Sequence, residues 1–413
     1  MAKRHSPFIC GGPVPPAHFI GREDQVDAIM GQLTGPARGG SAMCGERRMG
    51  KTSLLHYLMS AMVAEEWDVP LDLWRFVLLD CQQIGKPFTT DKFWQQIFRA
   101  IADSGLAGEL GERATALGQN ETLAEALLAQ FFDKVADRNS LIVLLLDEFE
   151  FVTEQVDRKN PEVLYQLRQL LNRQKRGLAL ITASHEPVDV LCRDIDFQGS
   201  PFYNNLLSIR LRPFEDYEIE ALLDLADPPF SVAEAAYVVR VGGRHPLLLQ
   251  LAADTLYRRR ARQKAGSPLD FAAVGRAYEQ RARQHYRDVW RDMQPQDRML
   301  LALVALRSFL HREGGRGYEV RGIEGLLARF VRALRSLAER GLVTGDSPPL
   351  LLSSVDEWWL IEEITSRVEA QEEWEKFLSA QELSLVEGAI WAVRVNRRGI
   401  QALAAWAVGP PEV

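Results

Sequence analysis

Short apolar runs alternate with stretches of helical spacing through the first half of the chain. The runs cover residues 41–44, 73–79, 141–146, 178–183 and 207–211, each of strand length. Apolar positions recurring every three to four residues predict helices over 22–34, 52–66, 91–104, 122–136 and 161–174. That alternation makes βαβ units and therefore a parallel sheet. Leu141-Ile142-Val143-Leu144-Leu145-Leu146 has no polar position at all, so this strand must be covered on both faces, which takes a layer of helices on each side. The expected core is a three-layer α/β sandwich, closed by Pro213.

Beyond Pro213 the pattern is helical to about residue 290. Glu215-Asp216 starts one helix, 233–239 form another, and Pro246 opens a third, because proline is tolerated in a first turn. Helical spacing then recurs over 297–306, 323–330 and 331–340, where Gly341 ends it. Leu342-Val343-Thr344, a turn over 345–349 and an apolar run over 350–355 read as a small hairpin, and helices followed by a hairpin predict a winged helix. The tail is acidic, with Glu362, Glu363, Glu369, Glu372, Glu373 and Glu375, and it carries Trp358, Trp359, Trp374, Trp391 and Trp406. These tryptophans are expected to fill a small core against the preceding lobe; the other reading is a partner-binding patch. The expected division is an N-terminal extension (1–18), the α/β core (19–212), a helical lid (213–290), the winged helix (291–360) and a C-terminal appendage (361–413).

At 413 residues and 46% apolar content the chain exceeds one compact core, in keeping with several domains. Cys10, Cys44, Cys81 and Cys192 lie far apart, without a CxxC pair or a Cys/His cluster at metal spacing, which argues against a disulfide framework and a zinc site. A reducing, cytoplasmic setting is the expectation. After Lys3, Arg4 and His5, the residues Pro7, Gly11, Gly12, Pro13, Pro15 and Pro16 break the apolar stretch that a secretion signal needs. The longest aliphatic run, 141–146, is far short of the roughly 18 residues that cross a bilayer, so no membrane partner is expected. Net charge is −7, yet residues 258–340 hold 19 Lys and Arg against 9 Asp and Glu, a local balance of +10.

The strongest chemical signal is Gly45-Glu46-Arg47-Arg48-Met49-Gly50-Lys51-Thr52, a full match to GxxxxGK[ST]. Such a loop wraps backbone N–H groups round the phosphates of a nucleoside triphosphate. Its glycines permit the tight curl, Lys51 brings a point charge to the β- and γ-phosphates, and Thr52 offers a hydroxyl to Mg²⁺. The strand before it and the helix beginning at Thr52-Ser53 support the match, since a helix N-terminus favours an anion. Leu146-Asp147-Glu148 ends the third apolar run. There Asp147 is suited to hold Mg²⁺ through water and Glu148 to polarise the attacking water. Because run 73–79 falls between the two motifs, the acid-bearing strand should lie one position away from the loop strand.

Four elements in chain order give a family resemblance: Phe19-Ile20-Gly21-Arg22-Glu23, the stretch 45–55, the stretch 141–148, and Gly242-Gly243-Arg244-His245-Pro246-Leu247-Leu248-Leu249-Gln250. The chain resembles the AAA+/STAND branch of P-loop ATPases, and in particular the archaeal-ATPase-like members related to origin-recognition ATPases. The resemblance spans residues 19 to about 360. It implies an ASCE-type sheet, ATP and Mg²⁺ as ligands, and slow hydrolysis that drives a conformational switch. It further implies that Ile20, Gly21 and Arg22 flank adenine, and that His245 and Pro246 in the lid approach the nucleotide and, with Gly243, report its state. The added cation Arg244 is a candidate phosphate contact.

In that family a polar sensor ends the fourth strand, which here is Ser184; the chain continues with His185-Glu186-Pro187 where STAND proteins often carry an arginine. Arg193 is a candidate finger for a neighbouring subunit's site, which would require a nucleotide-dependent homo-oligomer; a solvated loop arginine is the other reading. Arg329, Arg332, Arg335 and Arg340 recur along or near the last predicted helix, suited either to a major groove or to docking on acidic parts of the same chain. Two functions follow: a signal-transducing ATPase that controls a separate protein partner, with bacterial defence as one setting, or a DNA-engaging ATPase that loads or regulates replication or transposition machinery through the basic 258–340 stretch. A nucleotide-binding scaffold with negligible turnover is a third.

Overall fold

The computed structural model describes residues 5–36, 38–173, 177–197, 199–263, 267–314, 317–366 and 373–410, with the side chains of 317–319 excepted. Lys3, Arg4, Gln174, Lys264, Arg316, Glu369 and Glu372, which enter the sequence reading, lie outside the described residues.

Each apolar run of the first half is a strand. β1 (Gly40–Cys44), β2 (Trp74–Asp80), β3 (Leu141–Asp147), β4 (Leu178–Ser184) and β5 (Leu206–Arg210) form one sheet in the order β2-β3-β4-β1-β5, with every pairing parallel. All of β3 and β4 is buried. Since side chains alternate along a strand, Ile142, Leu144 and Leu146 enter one apolar cluster while Leu141, Val143 and Leu145 enter the other. One strand does separate β1 from β3, but that strand is β4; β2 sits outside β3 at the sheet's edge.

The helices of this unit are α1 (Glu23–Thr34), α2 (Lys51–Leu58), α3 (Ala61–Glu66), α4 (Thr90–Asp103), α5 (Gly108–Gln119), α6 (Glu125–Asp137), α7 (Glu150–Gln155), α8 (Glu162–Leu171) and α9 (Val188–Leu191). Ile29, Met30, Leu33, Leu54 and Leu55 from α1 and α2 close one face; Phe93, Trp94, Phe98, Phe131, Phe132 and Leu167 from α4, α6 and α8 close the other. The single helix predicted over 52–66 is two helices, because Ser60 leaves helical conformation and accepts the Val63 N–H as a new N-cap. Helix α5 was not anticipated: its buried Leu110, Ala114 and Leu117 keep helical spacing, but Gly108, Gly111 and Gly118 lower its intrinsic propensity.

The chain divides into two compact units, residues 13–211 and residues 212–413 with 1–12. The second unit holds α10 (Asp216–Leu223), α11 (Val232–Gly242), α12 (Pro246–Arg262), α13 (Phe271–Asp292), α14 (Pro295–Arg312), α15 (Gly317–Arg329), α16 (Val331–Glu339), α17 (Ser354–Ser366), α18 (Ala380–Val395) and α19 (Arg397–Val408). Capping boxes at Glu215/Glu218 and Ser231/Glu234 start α10 and α11, and Pro246 occupies the first turn of α12 as the sequence suggested. The run from Met299 to Leu306 in α14 is buried all round, which makes this the central helix of the unit. Phe8, from the N-terminal segment, stacks on Phe230 and meets Tyr257 edge-on, and Ile9 N–H donates to Gln250 Oε1 (2.6 Å).

After α16 the predicted hairpin is reduced to one bridge, Val343 with Leu351. The run 350–355 is not a strand throughout: Ser353 Oγ accepts the N–H groups of Val355 and Asp356 and starts α17, so Val355 is a buried helical residue. The apolar residues before it conceal a Ser-led helix start. α17 and α19 pack on each other and on α13, and α17 also packs on α11. Ser354 Oγ donates to Ala407 O (2.8 Å), Ser353 Oγ to Val241 O (2.6 Å) and Tyr237 Oη to Val408 O (3.3 Å). Trp359 lies between Tyr286 and Trp290, Trp374 is buried, and Trp406 receives Arg312 at 3.6 Å from its ring. Trp391 departs from the core-filling expectation, at 66% exposed. Among the described residues no helix is long and apolar enough to cross a membrane.

Candidate nucleotide site

The loop after β1 is shaped by two left-handed residues, Arg48 (φ +64°) and Gly50 (φ +96°). Gly50 caps α2, and Leu54 N–H returns to its carbonyl (2.9 Å). The first N–H groups of α2 therefore have no intrahelical partner and face the loop with the positive end of the helix dipole. At the other end, Gly45 N–H donates to Ser184 O (3.2 Å), and a Cβ on Gly45 would stand 3.1 Å from Leu211. Lys51 is only 8% exposed, and its Nζ donates to the carbonyls of Gly45 (2.7 Å) and Glu46 (3.1 Å). Burial pushes its ammonium pKa down, against the opposing pull of Glu150, Glu148, Asp147 and Glu46.

Residues that are 95 positions apart meet here, with Thr52 Oγ1 donating to Asp147 Oδ2 at 2.7 Å. Burial raises the Asp147 carboxyl pKa. Glu148 sits at φ +50°, a conformation that few non-glycine residues adopt, and Gln82 Nε2 donates to its Oε2 (3.3 Å). Its carboxyl is also raised, first by burial and then by the charges of Glu150 and Asp147.

The segment before α1 lies along the same helix. Val14 N–H donates to Ser53 Oγ (2.9 Å), Phe19 stacks on Tyr57 at 4.5 Å, and the buried Arg22 reaches Met49 O with Nη2 (3.3 Å). Gly21 and Arg22 are both left-handed at φ +71°, which turns the chain beside the loop and leaves Ile20 half-buried. Of the remaining loop residues, Met49 is buried in the core, while Arg47 and Arg48 are exposed.

Ser184 is buried and its hydroxyl donates to Glu186 O (2.7 Å). The side chain that meets the acids from the end of β4 is His185, with Nδ1 2.8 Å from Glu150 Oε1. Neither Glu150 nor Gln82 stood out in the sequence, although Glu150 comes only three positions after Asp147. Arg193 is exposed on the turn after α9. In the other unit, His245 caps α12 with its ring 4.8 Å from that of His285, and Gly243 is left-handed (φ +62°) where a Cβ would meet Leu352 O at 2.9 Å. Arg244 pairs with Asp216 and donates to Phe214 O (3.0 Å), so the carboxylate and carbonyl of its own unit occupy it.

A glycine-bent loop between a buried parallel strand and a helix, faced by an acid pair two strands away, defines a P-loop NTPase. The sequence profile of the family described as Novel STAND NTPase 2 matches residues 39–308. The chain belongs to that family. In fold it is similar to the Walker-type ATPase of Pyrococcus abyssi, with TM-score 0.57 and 14% identity over 86% of this chain and 99% of that one. It is similar also to the ORC2 protein of Aeropyrum pernix in ADPNP–ADP complexes, with TM-score 0.50 and 14% identity over 91% of this chain and 94% of that one. No curated protein matches the chain.

Proposed function

We propose that the protein binds Mg·ATP and hydrolyses it slowly, as a switch that controls a separate protein partner, with defence signalling as its setting. The convergence of Thr52 and Asp147 carries the reading: a hydroxyl and a carboxylate 2.7 Å apart, beside a buried lysine, are the two oxygen donors that Mg²⁺ takes from a protein when phosphates and water supply the rest. The solved Aeropyrum relative, with ADPNP and ADP, supports adenine as the base. Thr52 and Asp147 would hold the ion, which supplies charge neutralisation on the β- and γ-phosphates. Lys51 and the N–H groups of 46–53 bind the phosphates, Ile20 to Arg22 flank the base, and Glu148 orients water and takes its proton. Gly243, His245 and Pro246 report nucleotide state to the winged helix, and Arg193 serves a neighbouring subunit in a nucleotide-dependent homo-oligomer.

Uptake of labelled ATP should saturate with Mg²⁺ present, and Lys51→Ala should weaken it about a hundredfold, since hydrogen bonds to charged groups are the strong ones. Equal uptake by wild type and variant would end this reading.

The DNA-engaging alternative draws less support. Arg329 pairs with Glu382 (2.5 Å), Arg340 with Asp297 (2.5 Å), Arg298 with Glu373 (2.7 Å) and Arg312 with Glu357 (2.9 Å), so acidic groups of the same unit take up much of the basic stretch. Arg332 and Arg335 stay exposed on α16. Duplex affinity at physiological salt should therefore be no tighter than the roughly 10⁻⁴–10⁻⁶ M of non-specific binding. Tighter binding that falls steeply with salt would favour the DNA reading.

A further inference from the structure

The C-terminal unit carries a groove of about 460 Å³ that lies outside the nucleotide site. α13 supplies Arg283 and Arg287 to its lining, one turn apart, α17 supplies Trp359, Glu362 and Glu363, and α18 supplies Arg394. Three guanidinium groups thus stand against two carboxylates. Arg283 is held by Glu279, with Nε donating to Oε1 at 2.7 Å. Arg287 and Arg394 are exposed, and among the described residues neither has a side-chain partner, in contrast to Arg298, Arg312, Arg329 and Arg340. Of the carboxylates, Glu362 accepts Trp358 Nε1 (2.9 Å), and burial pushes its pKa up against the pull of that N–H and of Arg283. Two guanidinium forks on different helices are left over, and such forks take carboxylates through paired hydrogen bonds.

The outer face of α18 extends this surface. Gly388, Trp391 and Val395 recur at spacings of three and four, which puts them on one side of the helix. Trp391 is 66% exposed and Val395 55%, and nothing lies within 4 Å of where a Cβ on Gly388 would stand. Arg394 comes three positions after Trp391 and is its neighbour on the helix surface, so the basic groove and the apolar strip are contiguous. Tryptophan and arginine are the side chains enriched where interfaces hold most of their binding energy. A small anion would use the groove alone; a protein segment uses groove and strip together. We propose that this surface of α13, α17 and α18 docks an acidic segment of a separate protein, with carboxylates on Arg287 and Arg394 and an apolar side chain against Trp391. Charge complementarity selects that occupant, since a basic segment would meet two uncompensated guanidinium groups. The surface lies within one unit and needs no nucleotide, so it gives the partner of the switch a place and a charge without depending on the ATP reading.

The test uses the full chain and a short fluorescein-labelled peptide of glutamates around a central leucine, with lysines in place of the glutamates as the control. Fluorescence anisotropy should show saturable binding of the acidic peptide at low salt, a steep loss toward about 0.5 M salt, and no binding of the lysine peptide. Arg287→Glu with Arg394→Glu should weaken binding about tenfold or more, because like charges then face each other. Trp391→Ala should weaken it by about tenfold, the scale of an interface anchor. Arg332→Glu with Arg335→Glu, on the exposed face of α16, should leave it unchanged. Absence of saturable binding by wild type, equal binding by the Arg287/Arg394 variant, or an equal loss in the Arg332/Arg335 variant would overturn the proposal. So would a wild-type dimer that the Arg287/Arg394 change dissolves, which gives the surface to a second copy, or duplex DNA that displaces the peptide at lower concentration. Lys51→Ala should lose ATP and keep the peptide, which separates a failure of the nucleotide reading from a failure of this one.

Discussion

Replacing Glu148 with glutamine should leave Mg·ATP binding within a few-fold and lower turnover by about 10²–10⁴, the range spanned by a general base. The substitution keeps shape and length, so the backbone at φ +50° and the contact from Gln82 Nε2 to the side-chain oxygen are both retained. Lost is the carboxylate proposed to accept a proton from water. Binding should survive because the groups proposed to hold the nucleotide are others: Lys51 and the loop N–H groups for phosphate, and the Thr52–Asp147 pair for the ion. Phosphate release from the variant and wild type, beside ATP uptake by each, separates the two effects. Particle mass with ATP adds a second readout, since a variant that binds without turnover should accumulate the ATP-dependent oligomer. Equal, background-level turnover in both would leave a nucleotide-binding scaffold, and an unchanged mass would remove the role of Arg193.

Phe98→Ala should lower the stability of the α/β unit by about 3–5 kcal/mol, the loss typical of a buried phenylalanine that leaves a cavity. Phe98 is fully buried on α4 and meets Phe131 edge-on at 5.0 Å, Phe132 at 6.3 Å and Trp94 at 6.4 Å. These rings belong to one cluster with Leu144 and Leu146 of β3, the strand that carries Asp147 and Glu148 at its tip. A unit of roughly 200 residues loses about 2–4 °C of melting temperature per kcal/mol, so the midpoint should drop by roughly 6–20 °C. Calorimetry that resolves the two units would check it. A shift under 2 °C would mean that the aromatic layer does not hold this face of the sheet.

Strand position, sheet type and phosphate loop were legible because they depend on local patterning. A run such as Leu141 to Leu146 cannot face water on either side, and GxxxxGK[ST] needs only neighbours in sequence. Lost to inspection were features decided by distant residues. The run at 350–355 looked extended until Ser353 was seen capping α17, and glycines hid α5 although its buried face kept helical spacing. The acidic appendage expected at 361–413 belongs to the same unit as α11: Tyr237 and Arg240 donate to the carbonyls of Val408 and Trp406 in its last helix.

The basic stretch teaches the same point in electrostatics. Counting charges found the excess at 258–340, but whether Arg329 or Arg340 would face a ligand or a carboxylate depended on Glu382 and Asp297, 53 and 43 positions away. By itself, then, the amino-acid sequence determined that a parallel sheet would form and that a triphosphate loop would sit at the end of its first strand, because periodicity and glycine placement act over a few residues. Only the tertiary structure decided that β4 separates loop from acids, that Ser184 turns away, and that His185 and Glu150 meet. Those outcomes turn on strand order and on which side chains share a desolvated pocket, and no short-range pattern encodes either.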